Sequence, residues 1–209
     1  MLETTKELEE LSQEVRTTAS AERLQANAQT ISDLVESGLS ASALKKGDVA
    51  PDFALPDTHG HVLALKTLLD RGPVVISFYR GGWCPFCNLE LRGLQRVLPE
   101  IVQVGASLVA ISPQLPDNSL STEEKNQLTF PVLSDVGNIV AKRFGIVFTL
   151  PTALVHAYKA IGRNLVETNG EAGAAQLPMP ATFVLDKSGV IRLAFVEETG
   201  ANGWTQTLS

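Results

Sequence analysis

Cysteine occurs twice in the 209 residues, and both copies fall in one short segment, Trp83-Cys84-Pro85-Phe86-Cys87. Two thiols separated by two residues can approach bonding distance, so an attack made by one can be resolved by the other through an intramolecular disulfide. A run of β-branched and aromatic residues, Val74 to Tyr79, leads into the pair, and a helix-favouring segment follows. That arrangement puts Cys84 at a helix N-cap, Pro85 at the first helical position, where a missing N–H is harmless, and Cys87 one turn in. Unpaired N–H groups and the positive end of the helix dipole stabilise thiolate, the form that attacks peroxides and disulfides. Arg80, at the end of the strand, could add a full positive charge.

A closed zinc site needs about four ligands. His59, His61 and His156 are the only histidines, and nothing in the spacing sets them beside the cysteines. We expect His59 and His61 to be exposed turn residues, His156 a helix-surface or core residue, and no metal or other cofactor. Gly81-Gly82 lacks the spacing of a phosphate cradle.

The elements that must position the cysteines can be traced from apolar periodicity. Leu8, Leu11, Val15, Leu24, Ile31, Leu34 and Val35 recur at helical spacing, which predicts an N-terminal helical arm that either packs on the domain or serves as a dimerisation element. From Val49 to Leu65, short apolar pieces punctuated by Pro51, Pro56 and Gly60 predict a β-hairpin or a pair of short strands. Val74–Tyr79 reads as a strand buried on both faces. The helix after Cys87 carries Phe86, Glu90, Leu94 and Val97 on one face, with a kink or stop expected at Pro99. Leu108–Ile111 is a second buried strand. Ser121 and Glu124 have capping-box spacing and, with Asn118, predict a helix start in Asp117–Gln127. Pro131–Leu133 is strand-like, and Ile139–Phe144 a short helix closed by Gly145. Asn169–Pro180 reads as a loop. Thr182–Leu185 and Val190–Phe195 form a hairpin turned at Gly189. This order predicts a mixed-sheet α/β domain.

Composition narrows the partners. A net charge of −6 with no basic cluster argues against nucleic acid. No apolar run reaches the ~18 residues of a membrane span. The opening twenty residues hold five glutamates and lack the basic start and apolar stretch of a secretory signal, so we expect a cytoplasmic protein. In a reducing compartment a lone cysteine pair is catalytic or metal-binding rather than structural.

The segments GDVAPDFALPDTHGHVLAL, VVISFYRGGWCPFCNLELRGLQ, LVAISPQ, FPVLSD and PATFVLDKSGVIR resemble the AhpC/TSA, peroxiredoxin-like branch of the thioredoxin-fold superfamily. The resemblance implies a thioredoxin-like fold, a central mixed β-sheet flanked by helices, with an N-terminal helical extension. It divides the chain into an arm (1–45), a redox domain (46–198) and a polar tail (199–209). Against the peroxiredoxin pattern Pro-x-x-x-Thr/Ser-x-x-Cys, Arg80 takes the proline place, Cys84 the Thr/Ser place and Cys87 the peroxide-attacking place. Glu90 matches a glutamate usual in the family, and Pro180 stands where an arginine is expected. Against thioredoxins, Trp83-Cys84-x-x-Cys87 matches with Cys84 as nucleophile, and Met179-Pro180 matches a cis-proline packed on the active site. Tyr79 and Trp83 are expected to frame the pocket with Pro85, and Arg80 to steady the thiolate or orient the leaving oxygen.

Three functions follow. The first is a thiol-dependent peroxidase reducing hydrogen peroxide or alkyl hydroperoxides, recycled by thioredoxin, glutaredoxin or a small thiol, possible as a homodimer. The second is a thiol-disulfide oxidoreductase. The third is a redox-sensing interaction protein. The identity of the attacking cysteine stays open.

Overall fold

The computed structural model describes residues 2–197. In chain order the elements are α1 (Leu2–Thr18), α2 (Ala21–Ser37), α3 (Leu39–Ser42), β1 (Ala54–Pro56), β2 (Val62–Ala64), α4 (Leu65–Leu69), β3 (Val74–Phe78), α5 (Pro85–Gln103), β4 (Ser107–Ser112), α6 (Pro116–Asn126), β5 (Val132–Ser134), α7 (Ile139–Arg143), β6 (Val147–Thr149), α8 (Thr152–Ala160), α9 (Leu165–Asn169), β7 (Gln176–Pro178), β8 (Ala181–Leu185) and β9 (Ile191–Val196). A single 3-10 turn, Glu171–Gly173, lies between α9 and β7.

Five strands make the central sheet in the order β5-β4-β3-β8-β9. The β3–β4 and β4–β5 pairs are parallel, and β3–β8 and β8–β9 antiparallel, as a thioredoxin-like mixed sheet requires. β3 occupies the centre, which is why all five of its residues are apolar or small and buried. On one face Phe78, Phe144 and Phe183 form a triangle of rings with centroids 4.9 to 6.0 Å apart. On the other, Val75, Leu108, Ala110 and Val132 pack under Leu91 and Leu94 of α5, in the same cluster as both cysteines. Truncating a side chain so enclosed, such as Leu91→Ala, costs about 2–5 kcal/mol.

The arm lies on its own domain. α1 packs on α5 and α2 on α8, burying Leu8 and Leu34 and leaving Val35 53% exposed. Close approach is made at Gly93, where an added Cβ would stand 2.9 Å from Thr4 Oγ1. Arg96 donates to Thr4 Oγ1 and Glu7 Oε2, at 2.7 and 2.8 Å. Between α1 and α2, Ser20 caps the second helix by accepting from the Arg23 N–H, and Gly38 closes it in the left-handed region.

The hairpins β1–β2 and β8–β9 form as their turn residues predict, with Gly189 at φ +78°. Two local expectations do not hold and a third is narrowed. Of the kink or stop expected at Pro99, the stop is excluded: α5 continues through Pro99 to Gln103, carried across by Leu98 and Ile101, which pack on the core from either side of the proline. α6 begins at Pro116 after Leu115, and Ser121 sits inside it, bonded to the Asp117 carbonyl at 3.1 Å. Proline at the first position, with the Leu115 N–H held by the Thr168 carbonyl at 2.8 Å, sets the start earlier than the capping-box spacing does. The segment 169–180 holds β7, which pairs with β6 and buries Leu177. The tail 199–209 lies outside the described residues.

Candidate active site

β3 ends at Phe78, and the chain crosses five residues before α5 begins with Cys84 as its N-cap and Pro85 at its first position. Gly81 and Gly82 allow that crossing. Gly81 has φ +145°, and a side chain there would strike the Trp83 indole; at Gly82 it would strike the Thr122 hydroxyl. A buried polar network fixes the same loop. Gln114 Oε1 accepts from the Gly82 N–H at 2.8 Å, and Asn88 Nδ2 donates to the Gly82 carbonyl at 2.8 Å. Asn126 then donates to Asn88 Oδ1 at 2.9 Å, and Arg92 donates to Asn126 Oδ1 at 2.9 Å. None of these partners has a sequence spacing that announces it, since they meet only through the packing of α5 on α6.

The two sulfurs are unbridged and 2.9 Å apart, with the Cys87 thiol donating to Cys84. Cys84 Sγ also accepts from Arg80 Nη2 at 3.2 Å and from the Cys87 N–H at 3.4 Å. Burial raises the Cys84 pKa. The bond from the Cys87 thiol, the Arg80 charge and the Cys87 N–H outweigh it and bring that pKa down to about 5. Cys87 moves the other way, far up, because burial, the bond to Cys84 and the Cys84 negative charge all favour its protonated form. Glu90 is pushed up to about 8, first by burial and then by the Cys84 charge, although Arg80 acts against the shift.

A cavity of about 270 Å³ opens beside Cys84, roofed by α1 and α2 and walled by α5 and α8. Arg80, Trp83, Cys84 and Pro85 line it, whereas Tyr79, Cys87, Glu90 and Pro180 do not. Tyr79 is enclosed in the core cluster that holds the cysteines, and burial raises its hydroxyl pKa. Pro180 is buried just ahead of β8, whose Ala181 pairs with Phe78 at the catalytic end of β3. Its peptide bond is trans, contrary to the thioredoxin-like expectation. The segment here runs extended from β7 into β8, with the Met179 N–H bonded to Ile146 and the Pro180 carbonyl to the Glu197 N–H. His59 and His61 sit exposed at the β1–β2 turn beside Glu123 and Asp57, and His156 is exposed on α8.

A model of the AhpC/TSA family matches residues 46–194. The chain belongs to the AhpC/TSA family. Among its AhpC/TSA relatives, peroxiredoxin Bcp of Escherichia coli is 34% identical over 103 residues, covering 49% of this chain and 65% of that protein. The chloroplastic peroxiredoxin Q of Populus jackii is 29% identical over 152 residues, covering 73% of this chain and 60% of that one. The chain thus spans less than two thirds of the length of these two curated relatives. The crystal structure of peroxidoxin BcpB from Mycobacterium tuberculosis superimposes with a TM-score of 0.61 at 28% identity, over 76% of this chain and 91% of that one. The fold is therefore that of the thioredoxin-fold peroxiredoxins. Sequence reading missed the rest of the cavity's polar wall, including Arg16, Arg23, Tyr158 and Arg163, because it comes from the arm and from a stretch around α8 without strong periodicity.

Proposed function

We propose that this AhpC/TSA chain is a thiol-dependent peroxidase in which Cys84 attacks the peroxide and Cys87 resolves. The observation that carries the assignment is that Cys84 lines the cavity and Cys87 does not, and the pKa of Cys84 is lowered, favouring thiolate, while that of Cys87 is raised, favouring the thiol. The Cys84 thiolate attacks the distal oxygen of ROOH, the O–O bond breaks, and the departing alkoxide leaves as ROH after taking a proton. That proton comes from solvent, because Glu90, although its pKa is pushed up to about 8, does not line the cavity. Arg80, already bonded to the sulfur, steadies both the thiolate and the charge developing on the leaving oxygen.

The product is a neutral Cys84 sulfenic acid, and the negative charge that held the Cys87 pKa up is gone. Arg80, which favours the Cys87 thiolate, then acts without that opposition. Cys87 loses its proton and attacks Cys84 Sγ; hydroxide leaves as water and the disulfide closes. From 2.9 Å the sulfurs need to approach by less than 1 Å to reach a disulfide length of about 2.05 Å. A thiol reductant, two equivalents or one dithiol, resets the pair. The cytoplasm, kept reducing, is the compartment where this cycle turns over.

The alternative, a reductase for protein disulfides, has the low Cys84 pKa in its favour. Against it, Cys84 is only 2% exposed and lies beneath the arm, out of reach of a disulfide on a folded surface. Stopped-flow Trp83 fluorescence in a Trp204→Phe background tests the proposal. Cys87→Ser should keep fast peroxide oxidation and accumulate sulfenic acid, while Cys84→Ser should lose it. The opposite pattern would assign the attack to Cys87.

A further inference from the structure

The cavity over Cys84 has an unusual charge for a protein with a net charge of −6. Its walls carry four arginines from four different places in the fold, Arg16 on α1, Arg23 on α2, Arg80 after β3 and Arg163 after α8, and no carboxylate. Arg80 is committed to Cys84. Arg163 lies 6.0 Å from the centre of the Trp83 ring, and no ion pair engages it or Arg23 among the described residues. Burial, together with repulsion from Arg23, lowers the Arg163 pKa. Three N–H groups in this wall, Arg23 Nε, Arg80 Nε and Trp83 Nε1, are buried without an acceptor. Buried donors are normally satisfied, so three around one cavity describe a place shaped for an acceptor that the protein does not itself supply. Ser12, Asn27, Thr30 and Tyr158 add neutral polar groups, and the remaining wall is apolar, with Leu24, Ile31, Phe148 and Leu154.

Resting on the peroxidase reading, we propose that the arm cavity is a carboxylate-binding subsite for a small anionic thiol, which recycles the Cys84–Cys87 disulfide from within the cavity. At about 270 Å³ the space falls just below the usual range for drug-sized ligands, about 300–1,000 Å³, so it suits a small molecule and not a polypeptide. The sulfur it reaches is Cys84, the one exposed to the cavity. The reductant thiolate attacks Cys84 Sγ, the S–S bond breaks, and Cys87 leaves as thiolate and takes a proton. A second thiolate attacks the reductant sulfur of the mixed disulfide, which releases the Cys84 thiolate and a small-molecule disulfide. Two thiols are oxidised and one protein disulfide is reduced. The arginines hold the carboxylate while the apolar wall directs the thiol end toward Cys84.

The test uses the full chain, oxidised with one equivalent of hydrogen peroxide in the Trp204→Phe background, and follows reduction by Trp83 fluorescence. The probes are 3-mercaptopropionate, 2-mercaptoethanol and cysteamine, each rate divided by that probe's rate with a small free disulfide to remove intrinsic reactivity. The anionic thiol should lead the neutral one by about ten-fold or more, as expected of charge-assisted hydrogen bonds, with the cationic thiol slowest. Arg23→Gln and Arg163→Gln should each reduce that preference, and added propionate should slow 3-mercaptopropionate alone in the parent protein, a readout independent of whether the variants fold. Equal normalised rates, or a thioredoxin faster than every small thiol with the arm in place, would overturn the proposal. So would arginine variants that slow a carboxylate-bearing hydroperoxide relative to hydrogen peroxide while leaving the thiols unaffected, since the subsite would then serve the peroxide. The initial peroxide step is recorded separately: its absence rejects the peroxidase reading, whereas rapid oxidation followed by charge-blind reduction rejects only the subsite.

Discussion

Replacing Arg80 by methionine keeps the bulk of the side chain and removes the charge 3.2 Å from Cys84 Sγ. At an effective dielectric of 20 that separation corresponds to about 5 kcal/mol. This is a ceiling, because the thiolate keeps the bonds from the Cys87 thiol and N–H and because water would reach the space vacated by the guanidinium. A net rise of about 2 units, roughly 2.7 kcal/mol, matches what one adjacent opposite charge produces and would move the Cys84 pKa from about 5 to about 7. The thiolate share at pH 6 then falls from roughly 90% to roughly 10%, while at pH 8 both proteins are about nine-tenths ionised or more. Thiolate absorbance near 240 nm and iodoacetamide alkylation against pH measure the shift directly. Peroxide oxidation should be about ten-fold slower at pH 6 from ionisation alone. Any deficit that persists at pH 8 measures what Arg80 does for the leaving oxygen. An unchanged titration in the variant would refute the reasoning, since the low pKa would then come from the helix terminus and Cys87 alone.

Cys84 and Glu90 make opposite contributions to the pH dependence of stability in the reduced protein. The depressed Cys84 pKa contributes stability that is full above its unfolded value of 9.0 and lost as pH falls through about 5, whereas the raised Glu90 pKa contributes stability that is full below 4.5 and lost as pH rises through about 8. Over pH 5–8 the two slopes oppose, so Glu90→Gln should turn a nearly flat urea-midpoint profile into one that rises by up to about 1.4 kcal/mol per pH unit; a profile as flat as the parent's would contradict the pairing. Gly82→Ala should destabilise by about 1–3 kcal/mol because its Cβ meets Thr122, and Thr122→Ala should recover part of the loss in a double-mutant cycle; additive effects would dissociate the two residues. Removing the amide at Asn88 by Asn88→Leu frees the Gly82 carbonyl and should slow peroxide oxidation at every pH without moving the Cys84 titration, so a shifted titration would show that the network tunes charge as well as position.

The geometry of the cysteine pair was legible because it is local: Cys84, Pro85 and Cys87 determine the cap, the first helical position and the sulfur spacing within four residues. The strands β3, β4 and β8 were legible because burial on both faces leaves apolar runs. What was not legible depends on distant contacts. Ser121 and Glu124 have the spacing of a helix start, yet Pro116 and the Thr168 carbonyl decide the matter from outside that window. β7 is three residues long and exists because β6 lies beside it. The network of Gln114, Asn88 and Asn126 and the cluster of Arg23, Arg80 and Arg163 are assembled from separate elements, so no window of sequence contains either. Which cysteine lines the cavity is likewise a property of packing: motif alignment alone gives Cys87 the attacking place against peroxiredoxins and Cys84 against thioredoxins, whereas the loop and the arm set Cys84 in the cavity wall.

Gly93 lies inside α5, where glycine disfavours helix, and Thr4 seats against it. The helix is notched, and the arm is keyed to the notch. A methyl group at that position would act as a wedge between α1 and α5, so a graded series, Gly93→Ala, →Ser, →Val, should lift the roof by steps without replacing any residue that lines the chamber. Engineers seeking a version that admits bulky oxidants have a one-residue dial there, and deletion of the arm would discard half the chamber to achieve the same end.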